Sequence, residues 1–217
     1  MNLPQISVLF GKLVPFFATV IIYFILLIPP AENPTLLAVI IKCSPIMSLM
    51  YFVKHYGSCT NPIFVGLFFC CIGDGFLMFK GYFFHGMLAF MLGHLNYIRA
   101  FGFKPLKPRI GLFSFLIGGI NISLLYKGLS GLFVPGVSMY ILIIDTMIWR
   151  AFARLQNPWT WTQISICTGS VLFALSDFFI GISMFVRPIA HSQVLIMSSY
   201  YAAQLGISLG VLEIVPK

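Results

Sequence analysis

The sequence predicts an all-α polytopic membrane protein, a single helical domain over residues 1–217 with about eight transmembrane helices. The chain is 59% hydrophobic and only 8% charged, whereas soluble domains average about 25% charged residues. Its mean hydropathy is +0.99. At about 20 residues per span, a chain of this length has room for roughly seven to nine helices and almost no extramembrane domain.

Eight apolar segments are the predicted helices, and proline, glycine or basic residues separate them. They run over Leu13–Ile28, Thr35–Val53, Ile63–Phe79, Tyr82–Ile98, Ile110–Tyr126, Phe133–Trp149, Ile164–Phe185 and Gln193–Leu212. The third and fourth segments are nearly continuous across Lys80-Gly81. Because Pro29-Pro30 follows the first segment without a small-residue cleavage site, we expect that segment to be a retained span and not a signal peptide.

The basic residues predict the orientation. With eight spans both chain ends share one side, and that side carries nine Lys and Arg residues: Lys12, Lys54, Arg99, Lys104, Lys107, Arg109, Arg150, Arg154 and Lys217. The other side carries three: Lys80, Lys127 and Arg187. The positive-inside rule therefore places both termini in the cytosol. The net charge of +8 fits this rule and contact with anionic lipid, so no nucleic-acid partner is expected.

Two aspartates lie inside apolar segments in similar settings. Asp74 reads Gly-Asp-Gly-Phe within the third segment, and Asp177 reads Ser-Asp-Phe-Phe within the seventh. An ionised carboxylate in the bilayer costs roughly 3 kcal/mol or more, and such residues face the bundle interior and mark working sites. Since the chain has only five acidic residues, we predict that these two form a catalytic or ion-coupling pair. The structural alternative is that each hydrogen-bonds a neighbouring helix or pairs with Lys42.

Other polar residues are expected at the same depth as this pair. Counted at about 1.5 Å per residue, they all fall roughly 8–17 Å below the non-cytosolic helix ends. They are Lys42, Asn121, Tyr200, Tyr201 and Gln204. The sequence therefore predicts one polar layer that holds two carboxyl groups, an ammonium group, phenols and amides.

Histidines suggest further site residues and a possible internal repeat. His94 and Tyr97 share one face of the fourth segment, and we take both as supporting residues or as packing groups. Asp74 and Asp177 lie in the third and seventh segments, and His85 and His191 lie at the starts of the fourth and eighth. Each half of the chain therefore has an aspartate in its third segment and a histidine at the start of its fourth. Two parallel four-helix halves would explain this pattern. No metal-binding spacing is present, so no metal or cofactor is expected.

Asp145 is expected to stay outside the site. It precedes Trp149 and Arg150 towards the cytosolic end of the sixth segment. Snorkelling and a local ion pair with the arginine explain it adequately.

Several longer stretches carry a family pattern in order along nearly the whole chain. They are Lys42-Cys43-Ser44-Pro45-Ile46, Phe64-Val65-Gly66-Leu67, Gly73-Asp74-Gly75-Phe76-Leu77, Gly81-Tyr82-Phe83-Phe84-His85-Gly86, His94 with Tyr97, Ala100-Phe101-Gly102, Trp149-Arg150-Ala151, Ser176-Asp177 and Ile196-Met197-Ser198-Ser199-Tyr200-Tyr201-Ala202-Ala203-Gln204. Together these stretches resemble the YhhN family of integral membrane lysoplasmalogenases, and most closely its vertebrate members. Asp145 lies outside this pattern.

The resemblance implies an ether hydrolase that cleaves the vinyl-ether bond of lysoplasmalogens. The products would be a fatty aldehyde and glycerophosphocholine or glycerophosphoethanolamine, and the membrane would be that of the endoplasmic reticulum. Under this reading Asp74 and Asp177 are catalytic. The supporting or substrate-binding residues are Lys42, His85, His94, Tyr97, Tyr200, Tyr201 and Gln204.

Two carboxyl groups suit this chemistry. Acid cleavage of a vinyl ether passes through an oxocarbenium ion, the cation that glycosidases also form with a carboxyl pair. One carboxyl must donate a proton, and the other must be ionised to stabilise the cation and activate water. Burial favours the neutral form of a carboxyl and a nearby cation such as Lys42 favours the ionised form, but the sequence leaves the two roles unassigned.

Two other classes of function fit the same residues. Intramembrane acids, a lysine and a possible repeat also suit a proton- or ion-coupled transporter. A non-catalytic lipid-binding protein is the third possibility. Headgroup and chain-length preference, the leaflet that supplies substrate and the oligomeric state stay open.

We predict that a protease-cleavable tag placed after Lys217 is cut in sealed microsomes, because nine basic residues face the side of the chain ends and three face the other. The measurement is tag cleavage with and without detergent. A tag that is protected until detergent is added would reverse the orientation and the depth comparison.

Overall fold

The computed structural model describes residues 3–28 and 34–214 and folds them into an all-helical bundle. Within those ranges there are eight long helices: α1 Leu3–Leu26, α2 Leu36–Tyr56, α3 Pro62–Leu77, α4 Phe83–Phe101, α5 Pro108–Leu125, α6 Phe133–Ala153, α7 Trp161–Phe185 and α8 Ser192–Ser208. A 3₁₀ turn at Tyr126–Gly128 and a short helix α9, Val211–Ile214, complete them. The predicted eight-helix membrane bundle is confirmed.

The helix ends differ from the predicted segments in a few places. Helix α1 begins at Leu3 and not at Leu13, because a single partly buried lysine such as Lys12 does not interrupt a helix. Helices α3 and α4 are separate, because the helical structure is interrupted at Met78–Tyr82, where Gly81 has a φ of +90°. The predicted break at Pro29-Pro30 and the C-terminal Lys217 lie outside the described residues.

Local sequence signals start several helices. The hydroxyl of Thr35 accepts a hydrogen bond from the Ala38 amide at the start of α2, and Thr160 does the same for the Gln163 amide at the start of α7. Helix α3 begins at Pro62, after Asn61 has capped the Ile63 amide at 2.9 Å. Such caps satisfy amide groups that have no partner within the helix.

Six of the helices are long and apolar enough to cross a membrane: α1, α2, α5, α6, α7, and α8 together with α9. Helix α3 is equally apolar but has 16 residues. Large apolar side chains lie on the outside of the bundle, and Leu36, Leu112 and Phe113 are each more than 60% exposed. A surface of this kind is suited to lipid and not to water.

The helices pack mainly as antiparallel neighbours, and the pairs α3–α4 and α7–α8 are the most extensive. Helices α2, α4, α6 and α8 complete the interior around α3 and α7, while α1 and α5 lie to the outside. Glycines allow the closest approach: a Cβ at Gly169 of α7 would stand 2.7 Å from the Ala203 carbonyl oxygen of α8. The contact is with backbone, which cannot move aside as a side chain can.

We predict that Gly169→Ala lowers the stability of the protein by about 1–3 kcal/mol, because the added methyl group forces α7 and α8 apart. Gly119→Ala is the matched control. It adds the same group to α5, where a Cβ meets nothing within 4 Å, and alanine favours a helix over glycine by up to about 1 kcal/mol. Thermal unfolding in detergent measures both, and equal melting temperatures would contradict the close-packing argument.

Candidate active site

Asp74 is buried at the end of α3 between α2 and α8. Its side chain accepts a hydrogen bond from the Tyr200 hydroxyl through Oδ2. The Lys42 ammonium lies 3.7 Å from Oδ1 and donates to the Asp74 backbone carbonyl at 3.3 Å. Asp74 is 2% exposed, so lysine and tyrosine supply the polar contacts that water would otherwise provide.

Asp177 on α7 is held by α4 and α6. The Tyr140 hydroxyl donates a hydrogen bond to Asp177 Oδ2 at 2.9 Å. His94 Nε2 lies 3.8 Å from the same oxygen and 3.1 Å from the Tyr140 hydroxyl. His94 is fully buried, and its Nδ1 has no hydrogen-bond partner within the described part of the chain. Asp177 thus has a tyrosine and a histidine beside it, whereas Asp74 has a tyrosine and a lysine.

Both aspartates line one cavity of about 450 Å³, which we call the polar cavity. Lys42 and Tyr200 line it too, and Pro34, Met78 and Ser192 lie at the end where α3 and α7 finish and α2 and α8 begin. The polar residues lie roughly 4–12 Å inside their helix ends at 1.5 Å per residue. Asp74 is shallower than predicted because α3 ends at Leu77 and not at Phe79.

Two further polar residues of this cavity have unsatisfied atoms. Ser183 Oγ and Gln193 Oε1 are buried and have no hydrogen-bond partner among the described residues. The amide nitrogen of Gln193 donates to the Tyr23 hydroxyl and to the Leu27 carbonyl, each at 3.0 Å. Two residues of the cavity wall thus keep hydrogen-bonding capacity that no described side chain uses.

Four other predicted supporting residues lie outside the wall of the polar cavity. Three of them form hydrogen bonds between the surrounding helices, and His85 does not. The Tyr201 hydroxyl donates to the Lys42 carbonyl at 2.8 Å, and the Tyr97 hydroxyl donates to Gln204 Oε1 at 2.7 Å. None of Tyr97, Tyr201 and Gln204 lines the polar cavity. His85 is the exception: it packs against the rings of Phe76 and Tyr82, with centroids 5.8 and 5.4 Å away, and does not line the cavity either.

An aromatic side chain connects the two carboxyl clusters. The ring of Phe173 lies 4.5 Å from the His94 ring and 5.4 Å from the Tyr200 ring, both in edge-on geometry. Phe173 is fully buried. Because a packed ring cannot move without moving its neighbours, it fixes the position of the Asp177 cluster relative to the Asp74 cluster.

A second cavity, of about 120 Å³, lies between α4, α5, α6 and α7, and we call it the apolar groove. Asp177 lines both cavities and is the polar residue that they share. Asn121, which the depth comparison assigned to the polar layer, faces the apolar groove. Asp177 thus belongs to the wall that the two cavities have in common, together with the apolar residues Leu77, Phe83, Phe90 and Ile180.

The structure contradicts the expectation for Asp145. This residue is 4% exposed, lies eight residues before the end of α6 at Ala153, and lines the apolar groove. Arg150 donates instead to the carbonyls of Gly102 and Pro105, at 2.7 and 2.9 Å. Asp145 forms no ion pair with any described residue, and its Oδ2 has no hydrogen-bond partner among them. Because Asp145 and Arg150 are five positions apart, their side chains lie on different faces of α6.

Sequence reasoning missed Tyr140, the direct hydrogen-bond donor to Asp177. It is a lone tyrosine in an apolar helix, and its partner is 37 residues away. Tyr140 is the eighth residue of α6, which places it at the depth of the predicted polar layer. That depth was the sequence signal that could have identified it. Gln193 and Ser183 were missed in the same way.

This set of groups defines the class of the protein: a polytopic membrane protein with a buried and a partly buried carboxyl group on a shared intramembrane cavity. Within the described residues, no three His, Cys, Asp or Glu side chains are grouped so that they could hold a metal ion. A carboxyl pair with tyrosine, lysine and histidine neighbours can transfer protons and stabilise a developing cation.

Residues 37–211 match the YhhN family, and the chain belongs to that family. Lysoplasmalogenase TMEM86A of Bos taurus is 43% identical over 214 residues, which cover 93% of this chain and 89% of the relative. The TMEM86A of Homo sapiens is 40% identical with the same coverage. Lysoplasmalogenase TMEM86B of Sus scrofa is 35% identical over 93% of this chain and 87% of its own length. No solved structure matches the chain.

We predict that Lys42→Met lowers stability by roughly 3 kcal/mol or more, because it leaves the buried Asp74 carboxyl without its cation. The double variant Lys42→Met/Asp74→Asn removes both charges, and we expect it to recover much of that loss. Melting temperatures of the wild type, both single variants and the double variant in detergent give the interaction free energy between the Lys42 and Asp74 side chains. Additive losses would show that the two side chains do not interact.

Proposed function

We propose that the protein is a lysoplasmalogenase, which hydrolyses the vinyl-ether bond of lysoplasmalogens within the membrane. The observation that carries this proposal is the pair Asp74 and Asp177 on one intramembrane cavity. The names of the relatives, which align over nearly the whole chain, supply the substrate class. The products are a fatty aldehyde and glycerophosphocholine or glycerophosphoethanolamine.

The reaction needs one acid and one base. The acid protonates the alkene carbon distal to the ether oxygen, which leaves an oxocarbenium ion on the carbon bonded to that oxygen. Water adds to this carbon while the second carboxylate accepts a proton from the water. The hemiacetal then loses its hydroxyl proton to the first carboxylate, and the glyceryl oxygen leaves with the proton of the second. Both carboxyl groups end in the state in which they began, and one water is consumed.

We assign the acid to Asp177 and the base to Asp74. The carbon that accepts the proton lies on the hydrocarbon side of the bond, and Asp177 lies where the polar cavity meets the apolar groove. Asp74 has an ammonium group 3.7 Å away, and a neighbouring cation favours a carboxylate. Asp74 is thus the better partner for the cation and for the attacking water.

The surrounding residues position these two groups. Tyr140 and His94 hold Asp177 at 2.9 and 3.8 Å and offer a route for its proton. Tyr201 fixes the backbone of Lys42, while Tyr97 and Gln204 brace α4 against α8. At the mouth of the cavity, side-chain rotation would let the Ser183 hydroxyl donate to the substrate phosphate and Gln193 Oε1 accept from the glycerol hydroxyl.

The membrane setting follows from the same proposal. We infer that both termini are cytosolic, supported by the nine-to-three distribution of basic residues, and that the polar cavity opens on the opposite side. An endoplasmic-reticulum membrane follows by analogy with the family. A proton-coupled transporter would use the same carboxyl pair, but it would cleave no bond and release no aldehyde. Its own activity would be measurable only in sealed vesicles, so an assay in detergent distinguishes the two functions.

We predict that Asp74→Asn and Asp177→Asn each fold and lose about 10²–10⁴-fold in aldehyde release, because asparagine keeps the shape but cannot donate a catalytic proton or carry the charge. The assay uses purified protein in detergent, with alkenyl and acyl lysolipids compared at matched helicity.

Glu213→Gln is the matched acid-to-amide control. Glu213 pairs with Arg154 at 3.2 Å and lines neither the polar cavity nor the apolar groove, so we expect this variant to stay active. Full activity in either aspartate variant would refute the assigned pair. Wild-type protein that releases no aldehyde from any alkenyl substrate would refute the function itself.

A further inference from the structure

The apolar groove shares Asp177 with the polar cavity, and apart from Asn121, Tyr140, Asp145 and Asp177 its wall consists of apolar residues. Beyond Asp177 its walls come from three helices. They are formed by Ile117 of α5, by Ile141, Ile144 and Ile148 of α6, and by Ala174 of α7. From Tyr140, at the level of Asp177, to Ile148 the groove runs eight residues along α6, which is about 12 Å at 1.5 Å per residue. This part of the groove leads from Asp177 deeper into the bundle, while Val137, Gly181 and Phe185 line a second part that runs towards the end of α7.

One side of the groove faces lipid. Ile117 lines it and is 45% exposed, and α5 and α7 make few contacts with each other. The groove volume of about 120 Å³ suits part of a lipid chain and not the whole chain. A chain in the groove can therefore leave sideways, between α5 and α7, into the bilayer.

We propose that this groove binds the alkenyl chain of the substrate, next to the vinyl-ether bond. The inference builds on the proposed function and names its chain-binding site. A lysoplasmalogen has a polar headgroup on one side of the vinyl ether and one hydrocarbon chain on the other. Of the two cavities that share Asp177, the polar cavity matches the headgroup and the apolar groove matches the hydrocarbon chain. With the headgroup at the cavity mouth, the chain is directed into the groove, because apolar walls favour hydrocarbon by about 25 cal/mol per Å² buried.

Asp145 lies against α5 at the level of Ile117. Its carboxyl group packs so closely on α5 that a Cβ at Gly118 would overlap it, and its Oδ2 is buried without a hydrogen-bond partner among the described residues. The exposed wall at Ile117 is one residue before Gly118 on α5, so the chain has an apolar path out at that level.

The test is the chain-length dependence of kcat/KM for a series of alkenyl lysolipids. Ala174→Leu fills the groove one turn from Asp177. We expect it to lower kcat/KM for long-chain substrate by about tenfold or more, the effect of a misfit methylene in an apolar pocket, and to leave short-chain substrate within about twofold. Leu175→Phe is the matched control: it adds bulk at the next residue of α7, which is 40% exposed and does not line the groove.

A long-to-short ratio that is unchanged in Ala174→Leu, or changed equally in Leu175→Phe, would overturn the proposal. Ile117→Phe narrows the groove from its exposed wall, so it gives the same test should Ala174→Leu fail to fold. This ratio can be measured only if the protein hydrolyses some substrate.

A second measurement is independent of turnover. A lysolipid with a photoreactive diazirine in its hydrocarbon chain is bound to the protein and irradiated, and the labelled residues are identified by tandem mass spectrometry. We expect labels at groove residues such as Ile117 and Ile144, and their loss in Ala174→Leu. Labels confined to lipid-facing residues such as Leu112 and Leu175 would refute the groove assignment even if hydrolysis is observed.

Discussion

The need to satisfy two carboxyl groups inside a membrane determines much of this structure. Lipid offers no hydrogen bonds, so each carboxyl must find its partners on neighbouring helices. Asp74 draws Lys42 from α2 and Tyr200 from α8, and Asp177 draws Tyr140 from α6 and His94 from α4. Six helices are thus fixed around two side chains. Helices α1 and α5 pack outside this set.

Close packing makes those contacts possible. Tyrosine, lysine and histidine reach the carboxyl groups only where helix backbones approach each other, and the glycines of α3, α4, α7 and α8 permit this approach. Gly66 of α3 lies against the ring of Tyr97, and Gly169 of α7 lies against the backbone of α8. Phe173 fills the space between the clusters. The position of one carboxyl group therefore depends on the packing around the other.

The two cavities separate the polar and apolar requirements of one reaction. A lipid with a reactive bond between headgroup and chain needs polar contacts on one side of that bond and hydrocarbon on the other. The polar cavity, with its free serine and glutamine oxygens, and the apolar groove meet at Asp177. The difference in neighbours, lysine at Asp74 and tyrosine with histidine at Asp177, gives two chemically identical side chains distinct surroundings, and the proposed acid and base roles rest on that difference.

The sequence alone determined the fold class and the eight helices and singled out Asp74 and Asp177 as site candidates, because hydropathy and the cost of intramembrane charge act locally and are visible in single segments. Counting residues from helix ends also brought Lys42 and Tyr200 to the depth of the carboxyl groups. Depth says nothing about which way a helix face turns. Only the tertiary structure decided that Tyr140 contacts Asp177, that His85 packs away from the site, and that Asp145 turns inward to a groove instead of pairing with Arg150. Each of these depends on the rotation and packing of helices distant in sequence, which hydropathy does not encode.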